Sequence, residues 1–266
     1  MIAGFNSGDG CKRGQEVTVE KPFQLKLIIR RVSTTASLRW ISGAWQVFKR
    51  VPLLFIAMFC LTAIISFLLQ QHQLTTLIWV FVGPFLTAGF YKTIVGVQQE
   101  RKVAIDWLFQ PLTEPSCRLI LMTIGAVKFV MFTPLIAFFE RLQTTMSAAV
   151  EAQSGMETVV LLQLLALVAL FTLVLMLFAY AVAIAYFLKE HRFLVVLQTS
   201  FIACWRNVGA LLLYGLFSMA LLLLTLPTFG LGIIVVAPLL QIAFFLSFND
   251  VFALQVNASE DGVLEV

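Results

Sequence analysis

The sequence predicts an all-α polytopic membrane protein, with six transmembrane helices arranged as three parallel-repeat hairpins and accompanied by amphipathic interfacial helices. Two observations predict this class. Of the 266 residues, 60% are hydrophobic and only 12% are charged, whereas soluble domains are about one quarter charged. Apolar runs also exceed about 18 residues several times, which is the length that a helix needs to cross a bilayer.

The apolar runs define six spans, at residues 52–70, 75–97, 119–139, 158–187, 207–226 and 231–254. The first begins at Pro52, where the first helical turn tolerates a missing N–H. The fourth is longer than a span requires and is expected to tilt or to project from the bilayer. Pro84 and Pro238 lie inside the second and sixth spans. Each frees a carbonyl and kinks its helix, so neighbouring helices must satisfy the freed group.

The basic residues predict the orientation. Nine of the eighteen lysines and arginines precede the first span, and seven more flank the connections between spans two and three and between spans four and five. These sixteen share one side of the membrane if both termini are cytoplasmic. Only Arg141 falls on the other side, and only Lys128 lies inside a span. This is a strong positive-inside signal, and we expect both termini in the cytoplasm.

The chain outside the spans divides into three segments. Residues 1–32 are basic, polar and rich in Gly and Ser, and we expect them to be disordered, as we do the acidic tail 255–266. We expect an amphipathic helix at residues 33–50 and the six-helix transmembrane domain at residues 52–254. No cleavable signal peptide is expected, because the first apolar run starts late in the chain.

The amphipathic segment carries a stripe of apolar residues at helical spacing, with Trp40 beside it. The stripe consists of Leu38, Ile41, Trp45 and Phe48. One interpretation places the helix in the cytoplasmic interface, with its Trp at headgroup depth. The alternative is that the stripe packs against other helices of the protein.

The same plan recurs three times along the chain. Spans one, three and five, which run from the cytoplasmic side to the outer side, each follow a short stretch that contains a Trp. The three stretches are "AWQVFKR", "IDWLFQPL" and "FIACWRN". The first and last units also match downstream, where "WVFVGPFLTAGF" and "IIVVAPLLQIAFF" each place a proline after a small residue. All three hairpins then run in the same sense, which indicates a parallel repeat. Chance similarity between apolar sequences is the alternative.

Four segments carry a resemblance to a known family. They are "GAWQVFKRVPLL", "GPFLTAGFYKTI", "TSFIACWRNVGALLLYGL" and "GLGIIVVAPLLQIAFFLSFNDVF". Over about residues 35–255, the chain resembles the six-span integral membrane proteins of bacteria, including a proteobacterial group described only as hypothetical transmembrane proteins. It is also similar to the membrane domains fused to some glycerophosphodiester phosphodiesterases. The resemblance implies a six-helix fold in a bacterial inner membrane and brings no established chemistry.

Sequence signals for catalysis are absent. The motifs HExxH, GxxxxGK[ST], GxGxxG and GxSxG do not occur, and the four cysteines show no CxxC spacing. No carboxylates or histidines pair at helical spacing inside a span. We therefore expect no enzymatic activity, no metal, no cofactor and no nucleic-acid partner.

Lys128 is the strongest single candidate for a functional residue. Ten residues, or about 15 Å of helix, separate it from Arg118, which is roughly half of the hydrocarbon core. A charge there costs roughly 2.5–3.5 kcal/mol and usually faces a bundle interior or a polar cavity. Lys128 would contact an anion, a headgroup or a gating partner. Alternatively, it snorkels to an interface or caps carbonyls freed by Pro84 or Pro238.

Two polar pairs near the basic side are further candidates. Arg206 and Asn207 open the fifth span, and Asn249 and Asp250 belong to the sequence "SFND" near the end of the sixth. Each pair either contacts lipid phosphate or substrate, or simply marks the membrane interface.

These observations favour a non-enzymatic scaffold or envelope-maintenance protein that acts through lipid and protein contacts. Its expected partners are the lipid bilayer, including anionic headgroups, and another protein or a second copy of the chain. The alternative is a small-molecule or lipid transporter, with a site between the proline-broken spans two and six and Lys128. A weaker idea is an anchor for a soluble partner docked on residues 1–50.

Overall fold

The structure, a computed structural model, describes the backbone of residues 29–151 and 158–252. In these ranges the chain forms ten α-helices: α1 (Ala36–Phe48), α2 (Pro52–Leu69), α3 (Gln73–Gln98), α4 (Gln110–Thr113), α5 (Pro115–Glu151), α6 (Thr158–Phe178), α7 (Ala181–Phe187), α8 (Phe193–Arg206), α9 (Val208–Leu223) and α10 (Ile233–Val251). Short 3₁₀ turns span Ile105–Leu108 and Leu226–Thr228. The segments expected to be disordered, 1–32 and 255–266, lie outside the described residues apart from residues 29–32.

Six segments of the described chain are long and apolar enough to cross a membrane. They are Pro52–Leu69, Thr75–Gln98, Pro115–Ala148, Thr158–Phe187, Val208–Thr228 and Ile233–Val251, with mean hydropathies between 1.4 and 2.8. The predicted all-α, six-span class is therefore confirmed. The protein is a multi-pass membrane protein.

The third span is longer than predicted. Helix α5 has 37 residues, or about 55 Å at 1.5 Å per residue. The sequence predicted that the third span ends at residue 139 and that a loop leads to residue 158. This is wrong for residues 140–151, which continue the helix. The prediction relied on polarity, but no glycine or proline lies between Pro134 and Gly155 to end the helix.

The fourth span is broken at Tyr180, between α6 and α7. The Tyr180 N–H donates to Ser200 Oγ at 3.0 Å, and that hydroxyl donates to the Met176 carbonyl at 2.9 Å. In an unbroken α-helix the Tyr180 N–H would bond the Met176 carbonyl directly. A hydroxyl from α8 is thus inserted into the helical ladder, which is a recognised cause of a kink.

The second helices of the three hairpins meet in the interior of the bundle. Tyr91 of α3 stacks on Phe245 of α10, with ring centroids 4.8 Å apart, and Phe187 of α7 lies 5.2 Å from Phe245. Tyr91 and Phe245 each follow the proline of their span by seven residues. Corresponding positions of the first and last units are therefore in contact, which supports the predicted repeat.

Glycines allow two close approaches around α3. A Cβ on Gly125 of α5 would overlap the Val80 carbonyl oxygen, and a Cβ on Gly89 would overlap the Leu108 carbonyl oxygen. Val80 lies four residues before Pro84, so its carbonyl is the one that the proline deprives of a donor. Helix α5 covers this freed carbonyl with the Cα of Gly125.

Helix α1 packs antiparallel along the C-terminal half of α10. Arg39 lies beside Asp250, with Nη2 and Oδ2 3.4 Å apart, and Gly43 lies against Leu246. The buried face of the helix comprises Ala36, Ser37, Trp40, Ala44, Val47 and Phe48. Of the predicted apolar stripe, Phe48 is buried, whereas Leu38 and Trp45 are 50% and 52% exposed. The helix therefore packs on the protein mainly through a different face, and two of the four stripe residues, Leu38 and Trp45, are exposed.

Candidate functional site

Most basic residues of the described chain lie at one end of the bundle, which we call the basic end. There α2, α5 and α9 begin and α3, α7 and α10 finish. Arg50 Nη1 donates to the Val97 carbonyl at 3.3 Å, and the Arg30 N–H donates to the Val251 carbonyl at 2.8 Å. The basic side chains at this end are Arg30, Arg31, Arg39, Lys49, Arg50, Lys92, Arg101, Lys102, Arg118, Lys189, Arg192 and Arg206.

Asn207 fixes one corner of the basic end. It is only 2% exposed, in the junction between α8 and α9. Its Oδ1 accepts the Val32 N–H at 2.8 Å, and its Nδ2 donates to the carbonyls of Arg30 at 3.0 Å and Ala203 at 2.9 Å. Because all these bonds are internal, Asn207 acts as a clamp on residues 30–32. Its neighbour Arg206 is exposed.

Asp250 joins α10 to α1. Its Oδ2 accepts Trp40 Nε1–H at 3.0 Å and a longer bond from Arg39 Nη2 at 3.4 Å. The adjacent Asn249 is partly exposed, and its side chain makes no hydrogen bond with a described residue. The carboxylate of Asp250 therefore serves the α1–α10 contact, and the sequence did not indicate either of its partners.

A polar network that the sequence did not reveal ties α3, α5 and α7 together. Glu114 directly precedes α5, and its Oε1 lies 2.6 Å from Lys92 Nζ and accepts the Tyr186 hydroxyl at 2.9 Å. The side chains of Lys92 and Glu114 are only 28% and 35% exposed. In the sequence, Lys92 is one of the basic residues that flank the spans and indicate the orientation. It lies 22 residues before Glu114. No local spacing could have found this pair.

Glu190 is a third acidic residue of the basic end, and it lies at the start of a helix. Glu190 Oε1 accepts both the backbone N–H and the Nε–H of Arg192, at 2.9 and 3.0 Å, just before α8. These hydrogen bonds to Arg192 hold the pKa of the Glu190 carboxyl below its ordinary value. The two residues are two positions apart in sequence, and the Arg192 side chain is exposed. Their hydrogen bonds therefore order the short connection between α7 and α8.

Lys128 faces outward from the bundle. Its side chain is exposed, and its Nζ lies 5.8 Å from the centroid of the Phe132 ring. This is within the range of a cation–π contact. Among the described residues the ammonium makes neither an ion pair nor a hydrogen bond to a carbonyl. The structure therefore shows no acidic partner for a gating ion pair and no proline-freed carbonyl bound by the lysine within that part of the chain.

The two predicted proline kinks lie in different packing environments. Pro84 is partly buried and lies against Gly125, one turn before Lys128. Pro238 is buried in α10, and the Tyr214 hydroxyl of α9 donates to the carbonyl of Leu240, two residues after the proline, at 2.8 Å. Between α3, α7 and α10, the interior holds stacked aromatic rings.

No cluster of three histidine, cysteine, aspartate or glutamate side chains that could hold a metal occurs among the described residues. Two of the cysteines, Cys117 and Cys204, are buried singly. Cys204 lies in α8, where burial raises the pKa of its thiol to about 12. Such a thiol is protonated and inert at neutral pH.

An apolar groove runs between α1 and α9. Its volume is about 500 Å³, and its lining consists of Leu38, Ile41, Ser42, Trp45, Phe217, Ala220, Leu221, Leu224 and Leu239. Ser42 is the polar member of this lining, and its hydroxyl is already donated to the Arg39 carbonyl at 3.1 Å. Leu224 is 71% exposed, so the groove opens to the surroundings of the bundle. It suits a hydrocarbon chain rather than a polar solute.

The fold and the site together define a six-span membrane protein with a basic end, an aromatic interior and a lateral apolar groove. Comparison of the chain with protein-family models, with curated proteins and with solved structures finds no match.

Proposed function

We propose that this chain is a non-enzymatic integral protein of a bacterial inner membrane, with both termini in the cytoplasm. It serves as a scaffold or envelope-maintenance component through contacts with anionic lipid headgroups and with other proteins. The observation that carries the proposal is the collection of basic side chains at one end of a bundle whose interior is packed with aromatic rings.

The basic end supports both the orientation and the lipid contact. Exposed arginines and lysines surround the helix ends there, and cytoplasmic loops of membrane proteins carry this excess. The cytoplasmic leaflet is anionic, and each basic residue near its surface adds about 1 kcal/mol of attraction. Trp45 and Trp205, both more than half exposed, lie on α1 and α8 near this end, and exposed tryptophans are typical of membrane interfaces.

The hydrogen bonds of two partly exposed carboxylates support a role without catalysis. Glu114 is engaged by Lys92 and Tyr186, and Asp250 by Trp40 and Arg39. Catalytic acids and bases need free access to a substrate atom. Here the carboxylates hold helices together instead.

Transport is the second candidate, and Lys128 is the observation behind it, although its side chain lies on the outer face of the bundle and not between spans two and six. Its ammonium lies within a span and meets only the Phe132 ring among the described residues. An intramembrane charge without a protein partner is a default functional-site hypothesis.

A gene-deletion strain complemented with variants tests the two candidates. If the scaffold role holds, deletion weakens the envelope, measured as leakage of a periplasmic marker and sensitivity to detergent. Lys128→Leu then restores the envelope as well as the wild type does. A strong loss of complementation by Lys128→Leu at normal abundance would contradict the scaffold role and favour transport. Reporter fusions at residues 101 and 228 would test the orientation, with a cytoplasmic signal expected only at residue 101.

A further inference from the structure

We infer that the groove between α1 and α9 binds an acyl chain of an anionic phospholipid, whose phosphate is held by the arginines around Asn207. This inference rests on the proposed function, since it names one specific site for the lipid contact. The headgroup half comprises Arg30, Arg31 and Arg206, with Arg39 beside them, and the hydrocarbon half is the groove.

The Asn207 clamp assembles the headgroup half. Its amide bonds the Arg30 carbonyl, and the Arg30 N–H bonds the Val251 carbonyl at the end of α10. The backbone that carries Arg30 and Arg31 is therefore held beside the residue that follows Arg206. All three arginine side chains are exposed. Arginines that are 175 residues apart in sequence thus share one corner of the basic end, and guanidinium groups are suited to phosphate recognition.

Asp250 leaves this corner positively charged. Within the part of the chain that the structure describes, it is one carboxylate beside four arginines. It accepts the Trp40 indole N–H at a shorter distance than the Arg39 guanidinium, 3.0 against 3.4 Å. The Arg39 side chain stays 69% exposed. A guanidinium has five N–H donors, so a single long bond leaves most of them for a phosphate.

The groove starts next to this corner and continues into the hydrophobic part of the bundle. Leu38 lines the groove and adjoins Arg39 in sequence, while Phe217 and Leu224 lie successively further along the span formed by α9. A ligand that occupies both halves needs an anionic end joined to a hydrocarbon chain. In a membrane a phospholipid meets this requirement and is present at high concentration.

The shape of the groove favours an acyl chain over a packed helix. Transmembrane helices associate through small residues that let backbones approach closely. The groove is walled mainly by large side chains, among them Trp45, Phe217 and Leu221. These side chains keep a helix backbone at a distance, whereas an acyl chain of few atoms per unit length can lie between them.

Lipid retention by the full-length protein tests the inference. The purified chain is equilibrated in micelles that contain equal amounts of phosphatidylglycerol and phosphatidylcholine, and native mass spectrometry counts the lipids that survive dilution. Ala220→Phe fills the groove from α9, and Ser42→Phe fills it from α1. Leu216→Phe is the matched control, because Leu216 is 66% exposed on α9 and does not line the groove.

Charge variants test the headgroup half. Arg30→Gln combined with Arg206→Gln removes two charges from the corner, and Arg101→Gln combined with Lys102→Gln removes two charges elsewhere on the basic end. We expect the first pair to weaken phosphatidylglycerol retention roughly ten- to thirtyfold, with little effect on phosphatidylcholine. The control pair should retain phosphatidylglycerol as the wild type does.

The results separate the possibilities. Loss of both lipids in the two groove-filling variants, with a normal Leu216→Phe control, supports the site. Equal retention of the two lipids by the wild type would overturn the headgroup half, as would equal effects of both charge pairs. Unchanged lipid retention in both groove-filling variants would overturn the acyl-chain half of the site. Disulfide-linked dimers of Ala220→Cys would also overturn it, because they would show that a second copy of the chain occupies the groove.

The outcomes for the site and for the proposed function can be told apart. If the envelope phenotype of the deletion strain is absent but phosphatidylglycerol is retained as expected, the lipid site stands and the scaffold role fails. If the strain is fully complemented by Ala220→Phe while the lipid experiment fails, the scaffold role stands without this site.

Discussion

Replacing Asn207 by alanine should release residues 30–32 from the bundle while the helices stay folded. The substitution removes the acceptor of the Val32 N–H and the donor to the Arg30 carbonyl. A net contribution of about 1 kcal/mol per hydrogen bond gives about 2 kcal/mol for these two ties. The remaining tie, from the Arg30 N–H to the Val251 carbonyl, is unaffected. Opening of the segment should therefore become about thirtyfold more frequent.

Hydrogen exchange measured by mass spectrometry, on the protein in micelles, reports this opening directly. We expect the peptide that covers residues 30–35 to exchange about thirtyfold faster in Asn207→Ala, while peptides from α3 exchange at the wild-type rate. Asn249→Ala is the matched control, since Asn249 is partly exposed and its side chain bonds no described residue. Equal exchange in the two variants would refute the clamp. So would faster exchange throughout α3, because the loss would then be global.

Three further outcomes are expected. Glu114→Gln should lower the free energy of unfolding by about 1.5–3 kcal/mol, because it removes a charged acceptor from Lys92, and an SDS titration would measure the loss. Lys128→Leu should leave thermal stability unchanged or raise it, since the ammonium bonds no described residue and leucine is favoured in lipid. Maleimide at pH 7 should label Cys204 only after unfolding, because burial raises its pKa to about 12, whereas a cysteine at Trp205, 67% exposed, should react in the native state.

Simple controls accompany these measurements. Glu140→Gln removes an exposed carboxylate of α5 and should leave the SDS titration unchanged. A similar loss in that variant would mean that net charge, rather than the Lys92 pair, determines stability. A large drop in stability for Lys128→Leu would reveal a partner for the lysine. For the labelling experiment the other cysteines are replaced by serine, and rapid native reaction of Cys204 would contradict its burial.

Span number and position could be read from hydropathy, because a helix in lipid must be apolar along its whole length. The continuation of α5 to Glu151 could not, since the prediction used the polarity of residues 140–151 and ignored the absence of a helix breaker. The break at Tyr180 was equally hidden. The break is caused by a serine 20 residues later in the chain. The residues around Tyr180 contain no pattern that predicts a break.

The polar sites were predictable only as single residues. Asn207 and Asp250 were identified as candidates from their positions at span ends, but their partners lie 175 and 210 residues away in sequence. Glu114 was not identified at all, because a lone carboxylate in a connecting segment carries no signal. Lys128 was identified from its isolation in an apolar run, and the structure places it in the helix α5. Its neighbour, Phe132, is one helical turn away and could have been inferred from spacing.

The Ser200 hydroxyl makes the shape of the fourth span depend on a different helix. It separates the Tyr180 N–H from the Met176 carbonyl, two groups that would otherwise complete a continuous rod from Thr158 to Phe187. Tyr186 reaches Glu114 from the segment beyond this break. The position of α8 therefore sets the direction of α7, which carries Tyr186 to the polar network at the start of α5. One oxygen from the third hairpin thus couples the shape of the second hairpin to its neighbour.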